Sequence, residues 1–560
     1  MTEQIEVDGV PALLAPTAGP AHAGLAFRVG FADEPLARRG ITHLVEHLAL
    51  YSAGGADYHY NGATGVEYTY FHMQGSEDEL AAFLNGVCAS LRELPMHRLA
   101  VEKELLQVEA NGRSSGPADQ MALWRHGARD YGMPSYPEWG LPAITEDDLR
   151  DWVTRYFTKD NAVLWVAGDG VPAGLRLDLP DGVRRPFPAP SSALPVTPAW
   201  FPGSSGALAW DAVVPRAARS QIFAGVLERV MFRELRQEGG FSYAANTSYE
   251  PVGADRALVT AVADSLPEKH GAVLGGFVDV LAALRVGRVD EADVAAVIKK
   301  QTEGLRHADE QGARLPGQAL NLLAGREVLS ADEAIARLKA VTPADVAEVA
   351  VAAGKTGLLM SPRTDAQWAG LTAAPGNSDN TVAGTEYRSL DRPDGRMTVG
   401  PDGVTVSLGN GRATVLFADC VILRAWPDGA RYLVGHDGIV VYVEPTLWAR
   451  SDTVARQIDA GVAAAVRVDQ PARDPEEIPR PDPVVAPARS RPRLRSRLSA
   501  FFPPSSHTLW GLAALVAMAF AVWLVYLKKS FGDQGDSPLL TAVAVAAVLF
   551  AAHAGRRYFR

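Results

Sequence analysis

The run Ile41-Thr42-His43-Leu44-Val45-Glu46-His47-Leu48-Ala49-Leu50 is apolar at helical spacing, and its polar interruptions, His43, Glu46 and His47, fall on one turn. A second helix is predicted over Val101-Glu102-Lys103-Glu104-Leu105-Leu106-Gln107-Val108-Glu109, ended by Asn111-Gly112. Its stripe of Val101, Leu105 and Val108 is expected to dock on neighbouring elements, while Glu102 and Glu109 share one face and Glu104 is solvated. A third helix opens at Thr145-Glu146-Asp147-Asp148, with Thr145 as N-cap and an acidic first turn, and runs to Tyr156-Phe157. The apolar run Ala162-Val163-Leu164-Trp165-Val166-Ala167 then reads as a buried strand.

A Pro-rich stretch over 186–202 reads as a linker. Beyond it Val341-Thr342-Pro343-Ala344-Asp345-Val346 echoes Ile144-Thr145-Glu146-Asp147-Asp148-Leu149, which suggests two related lobes, 1–185 and 203–365. After a polar segment around 374–384 the pattern changes to short alternating strands at 403–408, 414–417, 420–425, 431–435 and 439–443, with Asn410-Gly411 and Asp437-Gly438 as hairpin turns. A helix over about 452–462 follows, so residues 388–468 are expected to form a small, mainly-β, pleckstrin-homology-like domain.

Residues 471–506 are rich in Pro and Arg and read as a tether. The uncharged apolar runs 509–527 and 539–555 are expected to be two transmembrane helices, with a buried soluble hairpin as the competing reading. Basic flanks at Arg489, Arg491, Arg493, Arg495 and Arg497, and at Arg556, Arg557 and Arg560, put both ends on the cytoplasmic side. The polar start Met1-Thr2-Glu3-Gln4 has no signal-peptide pattern, so the lobes are expected to be cytoplasmic in a multi-pass membrane protein. The 560 residues are 47% hydrophobic, enough for several cores, and a net charge of −11 argues against nucleic acid as a partner. Only Cys88 and Cys420 are present, in separate domains, which fits a reducing compartment. Gly168-Asp169-Gly170 is followed by Pro172 and lacks the G-x-G-x-x-G of a dinucleotide loop.

The chemistry lies in the first helix. His43 and His47 at i and i+4 can converge on one ion, and Glu46 projects beside them, close enough to take a proton from metal-bound water. This is H-x-x-E-H, the inverse of H-E-x-x-H. A catalytic zinc site needs a third protein ligand, and Glu109 is the candidate, with Glu102 behind it; an acidic surface helix would carry the same glutamates.

In these residues the chain resembles the pitrilysin/insulinase family of zinc peptidases, which includes the mitochondrial processing peptidases. The family's pattern is H-x-x-E-H followed by a helix with two glutamates seven apart, the second of which binds zinc. Here Glu109 follows His47 at a slightly short distance. Asn61-Gly62-Ala63-Thr64 looks like the family's N-A-x-T segment, with Gly62 where alanine is usual, and the strand after it, near Val66 to Phe71, is expected to carry substrate. Arg236-Gln237-Glu238-Gly239-Gly240-Phe241-Ser242-Tyr243 is similar to its Arg-x-x-x-Gly-Leu-x-Tyr segment.

The resemblance implies an α+β fold of two related α/β sandwich lobes and zinc as cofactor, held by His43, His47 and Glu109. It implies Glu46 as general base, Arg236 and Tyr243 as donors to the substrate carbonyl, and Asn61, Ala63 and Thr64 as peptide-binding residues. The expected activity is a membrane-anchored zinc endopeptidase acting on peptides or unfolded segments. The alternative is an inactive peptidase-fold scaffold or peptide-binding subunit. Because the family closes its chamber with four domains and this chain supplies two, a homodimer or a heterodimer with a related subunit is expected.

Overall fold

The structure, a computed structural model, describes residues 2–51, 59–112, 116–203, 206–362 and 365–481. The first lobe is built on β1 (Glu3–Val7), β2 (Val10–Ala15), β3 (His22–Phe27), α1 (Ile41–Tyr51), β4 (His59–Thr64), β5 (Thr69–Gln74), α2 (Glu77–Arg92), α3 (Leu99–Gly112), α4 (Pro117–His126), α5 (Glu146–Tyr156) and β6 (Ala162–Ala167). Its sheet runs β1-β2-β6-β3-β5-β4, with β2 and β6 parallel and the other neighbours antiparallel. Alternation along the strands turns Leu25, Phe27, Phe71 and Leu164 to one face, where they pack on Leu44, Leu48, Leu84 and Val87 of α1 and α2. Thr145 caps α5, accepting the Asp148 N–H, while the Asp148 carboxylate returns the bond.

The second lobe repeats this plan. It comprises β7 (Ala199–Pro202), β8 (Leu208–Pro215), α6 (Ala218–Met231), β9 (Ala245–Val252), β10 (Arg256–Ala263), α7 (His270–Arg285), α8 (Glu291–Glu310), α9 (Leu315–Leu323), α10 (Ala331–Lys339), α11 (Pro343–Thr356), β11 (Leu358–Ser361) and β12 (Thr372–Ala373), in the sheet order β12-β7-β11-β8-β10-β9. The expected linker over 186–202 therefore ends in a sheet strand: β7 pairs in parallel with β11, because Ala199, Trp200 and Phe201 are apolar enough to be buried there.

The lobes exchange helices. On its other face the first sheet meets α9 of the second lobe, with Leu315, Ala319 and Leu323 against Leu13, Ala26 and Trp165. In return α4 lies on the second sheet, with Met121 against Phe201, Ala209 and Leu358, and Trp124 stacked on Phe201 at 4.8 Å between centroids. Arg125 of α4 makes a buried ion pair with Asp211 of β8, its Nε donating at 3.0 Å. Such a pair costs desolvation but fixes one mutual orientation, since a lone buried partner is strongly disfavoured.

One expected face is reversed. On α3 the stripe of Val101, Leu105 and Val108 points outward, 40%, 46% and 70% exposed, while Glu102 and Leu106 are buried. Positions 102, 106 and 109 form an i, i+4, i+7 stripe of their own, and this is the one turned toward α1.

The third module consists of β13 (Thr385–Arg388), β14 (Arg396–Val399), β15 (Gly403–Leu408), β16 (Gly411–Leu416), β17 (Cys420–Ala425), β18 (Arg431–Gly435), β19 (Val440–Val443), α12 (Val454–Gly461) and β20 (Arg467–Asp469). Two four-stranded sheets, β13-β14-β15-β16 and β19-β18-β17-β20, enclose Met397, Val404, Leu433 and Val441, with Ile458 of α12. The helix does not end the module as expected, because β20 follows it and pairs in parallel with β17. The module docks on the first lobe, where Ile422, Val434 and Val468 meet Leu36, Met133 and Tyr136.

The expectation of a multi-pass membrane protein is corrected: among the described residues no helix is long and apolar enough to cross a membrane. The runs 509–527 and 539–555, and the tether 471–506 from residue 482 onward, lie outside the described residues.

Candidate metal centre

The start of α1 is fixed before the site is built. Glu34, buried, accepts the N–H groups of Gly40 and Thr42 at 3.0 and 2.9 Å, satisfying donors that a helix N-terminus leaves open. Arg39 pairs with Glu34 at 2.9 Å and lies over the Phe31 ring at 3.8 Å. Leu44, Val45 and Leu48 bury the opposite side of the helix, so His43, Glu46 and His47 have a single direction to face.

His43, His47 and Glu109 come together, with one ligand atom from each all lying within 4.8 Å of one another. Glu109 Oε2 is 3.8 Å from His43 Nε2, and Oε1 is 3.8 Å from His47 Nε2. Each imidazole is held from behind by a carboxylate. Glu102 Oε2 lies 3.3 Å from His47 Nδ1, and Glu138 Oε1 lies 2.8 Å from His43 Nδ1. Both ring N–H groups can then sit on Nδ1, leaving the Nε2 lone pairs toward the shared point. Arg98 holds Glu102 in turn at 2.9 Å. Glu138 escapes sequence reasoning: it sits in the loop between α4 and α5, 95 residues from His43, with no periodicity to mark it.

Glu46 is buried on the same turn, and the Thr64 hydroxyl donates to its Oε2 at 2.6 Å. Burial raises its pKa above the ordinary glutamate value, against the lowering effects of the Thr64 hydrogen bond and of His43 and His47. Gly62 is next to it. A Cβ there would stand 2.7 Å from Glu46 Cγ and Oε1, so the carboxylate occupies space that any other residue would fill.

The Asn61 side chain accepts the Gly62 N–H at 2.9 Å. Asn61, Ala63 and Thr64 all lie on β4, the edge strand of its sheet; β5, expected to carry substrate, has β3 on one side and β4 on the other, so its hydrogen-bonding edges are taken. Arg236 and Tyr243 meet each other in the second lobe, on the segment following α6 that packs on α7 and β9. The guanidinium lies 4.9 Å from the centroids of both Tyr243 and Phe232, and Tyr243 is 77% exposed.

No protein-family model matches the chain, and no curated protein matches it. Solved structures do. A protease from Helicobacter pylori is similar at 17% identity, with a TM-score of 0.55, over 65% of this chain and 99% of that one. The periplasmic protease PqqL from Escherichia coli matches at 14% identity and 0.53, over 74% of this chain but 55% of that one. A peptidase M16 inactive domain from Pseudomonas fluorescens matches at 13% and 0.54, over 68% of this chain and 100% of that one. The chain thus has the fold of the M16, pitrilysin-like peptidases.

Proposed function

We propose that the chain is a zinc-dependent endopeptidase acting on extended peptides or unfolded segments. The observation that carries this reading is the meeting of His43, His47 and Glu109 with Glu46 on the same helical turn. The donor set suits zinc: two imidazoles and one carboxylate, with N···O separations of 3.8 Å, slightly wider than the ~3.4 Å edge of a tetrahedron with bonds of about 2.0–2.1 Å. Zinc held there supplies Lewis-acid polarisation of a carbonyl and acidification of water. Glu46 takes up the proton that the attacking water loses and delivers it to the leaving amine, roles suited to a carboxyl whose pKa burial has raised. Glu102 and Glu138 orient the two imidazoles.

Substrate adds to the free edge of β4, where main-chain groups around Asn61, Ala63 and Thr64 bind an extended chain with little regard to its side chains. Arg236 and Tyr243 contribute donors to the carbonyl being attacked. A second half-molecule, a copy of this chain or a related subunit, completes the enclosure. Two observations support this: the chain spans 55% of PqqL, whose first half alone matches over 92% of its length, and Val101, Leu105 and Val108 offer an exposed apolar face on the Glu109 helix.

The match to an inactive M16 domain favours a second reading, a peptide-binding scaffold without catalysis. The two are separated by measuring zinc bound to the full chain and cleavage of an unstructured peptide by the parent and by Glu46→Gln. A peptidase retains zinc in Glu46→Gln but loses at least ~100-fold in kcat. Cleavage that is absent from the parent, or unchanged in the variant, favours the scaffold.

A further inference from the structure

The loop carrying Glu138 lies between the entry to α1 and the third module. On the α1 side, a Cβ at Gly140 would be 2.3 Å from Arg39 N, and a Cβ at Gly40 would be 3.0 Å from Glu138 Cβ. Arg39 Nη1 stands 4.0 Å from Glu138 Oε1. The outer side of the same loop is held by the third module. Trp139, the next residue, meets Tyr432 of β18 edge-on at 5.6 Å, and Arg424 of β17 lies over its ring at 4.8 Å. Arg424 is itself fixed by Gln470, donating to Oε1 at 2.9 Å. Further along, Ala128 N–H donates to His436 O at 3.1 Å, and Tyr136 and Met133 share a buried cluster with Ile422 and Val434.

We propose that Glu138 is a positioning residue for His43 and that the β-rich module holds it in place through Trp139. This rests on the reading of His43 as a metal ligand. Residues 388–468 are then a structural part of the metal centre: Arg424 and Tyr432 pin Trp139, Trp139 fixes the backbone at Glu138, and Glu138 fixes which nitrogen His43 presents. Pairing a buried imidazole with a buried carboxylate tolerates little drift, because water cannot reach in to replace a lengthened hydrogen bond there.

The test measures zinc affinity of the full-length chain by chelator competition, and the visible spectrum of its Co2+ form, for the parent, Glu138→Gln, Tyr432→Ala, Tyr432→Phe and the Glu138→Gln/Tyr432→Ala double variant. Glu138→Gln is expected to weaken zinc binding ~10- to 100-fold. Tyr432→Ala should weaken it several-fold and change the Co2+ spectrum, Tyr432→Phe should restore both, and the double variant should be no weaker than Glu138→Gln alone. The inference is overturned if the parent binds zinc and Tyr432→Ala binds it equally well, or if the two effects simply multiply. A parent that binds no zinc overturns the metal reading itself, and this inference with it.

Discussion

The two lobes set the same frame around different side chains. In the first, β3 leads to α1, the hairpin β4–β5 ends the sheet, and α3 closes over α1; in the second, β8, α6, β9–β10 and α8 stand in the same order. One helix-to-edge-strand link survives in both. Glu46 accepts from Thr64 at 2.6 Å, and Glu228 accepts the Thr247 N–H at 3.1 Å. A second link also survives, since His47 with buried Glu102 is matched by Arg229 with buried Asp293 at 3.1 Å. The three positions proposed as metal ligands are what differ. Glycine 225 stands in place of His43, Arg229 in place of His47, and Lys300, 4.0 Å from Glu228, in place of Glu109. At Gly225 a Cβ would be 2.6 Å from Val297 Cγ1, so α8 has moved into the volume that an imidazole needs. Cations answer Glu228 and Asp293 in the second lobe, where the first pairs Glu46 with a hydroxyl and Glu102 with an imidazole.

The largest effect is expected from making the first lobe resemble the second. His47→Arg replaces a ligand with a permanent cation aimed at the same point, and zinc affinity should fall by more than the ~10- to 100-fold typical of losing an orienting partner. Peptide cleavage should fall to background. Arg229→Ala in the second lobe should leave both within about twofold, and zinc content with cleavage rates read the two variants side by side. Cleavage that survives His47→Arg would mean that the chemistry lies elsewhere.

A subtler change comes from Gly62. The second lobe has Ala245 two before its threonine, and there Glu228 Oε2 accepts the Thr247 N–H at 3.1 Å and the hydroxyl at 3.4 Å, where Glu46 takes the Thr64 hydroxyl at 2.6 Å. A Cβ at position 62 would stand 2.7 Å from Glu46 Cγ and Oε1, so Gly62→Ala should displace the carboxylate, lowering kcat by ~10-fold with zinc content and KM little changed. A loss of zinc in this variant would show that Gly62 supports the helix rather than the base.

Local signals explain which parts of this were legible beforehand. The 3.6-residue period of α1, the Thr145 cap of α5 and the uninterrupted apolar run of β6 are each written within about a dozen residues, so their form follows from short-range physics. The face of α3 was not legible. Its apolar stripe looked inward by composition, yet the stripe turned toward α1 is the one carrying Glu102, Leu106 and Glu109, whose carboxylates face His43 and His47. Nor could Glu138, Glu34 or the helix exchange of α4 and α9 be read, since each depends on residues far apart in the chain. Strand β7 hid among prolines, because a four-residue strand leaves too short a pattern to separate from a linker.

The smallest effect concerns the seam that both lobes share. Glu67, in the turn between β4 and β5, is buried and accepts from the Tyr131 hydroxyl at 2.5 Å and from the Gly253 N–H of the β9–β10 turn at 2.6 Å. Burial raises its pKa, outweighing these two hydrogen bonds and the nearby Arg28 and Arg216. A native pKa above the unfolded one means the fold binds the proton more tightly. Stability from this group is therefore full below the ordinary glutamate value and is lost as pH rises through the raised one. Glu67→Gln keeps a carbonyl for both donors and removes the titration. Apparent unfolding midpoints of the full chain, followed from mildly acidic to neutral pH, should fall less with pH in the variant than in the parent. Equal slopes would mean that the desolvation of Glu67 is relieved in the folded protein, and that the seam between the unlike lobes tolerates a charge as readily as a neutral side chain.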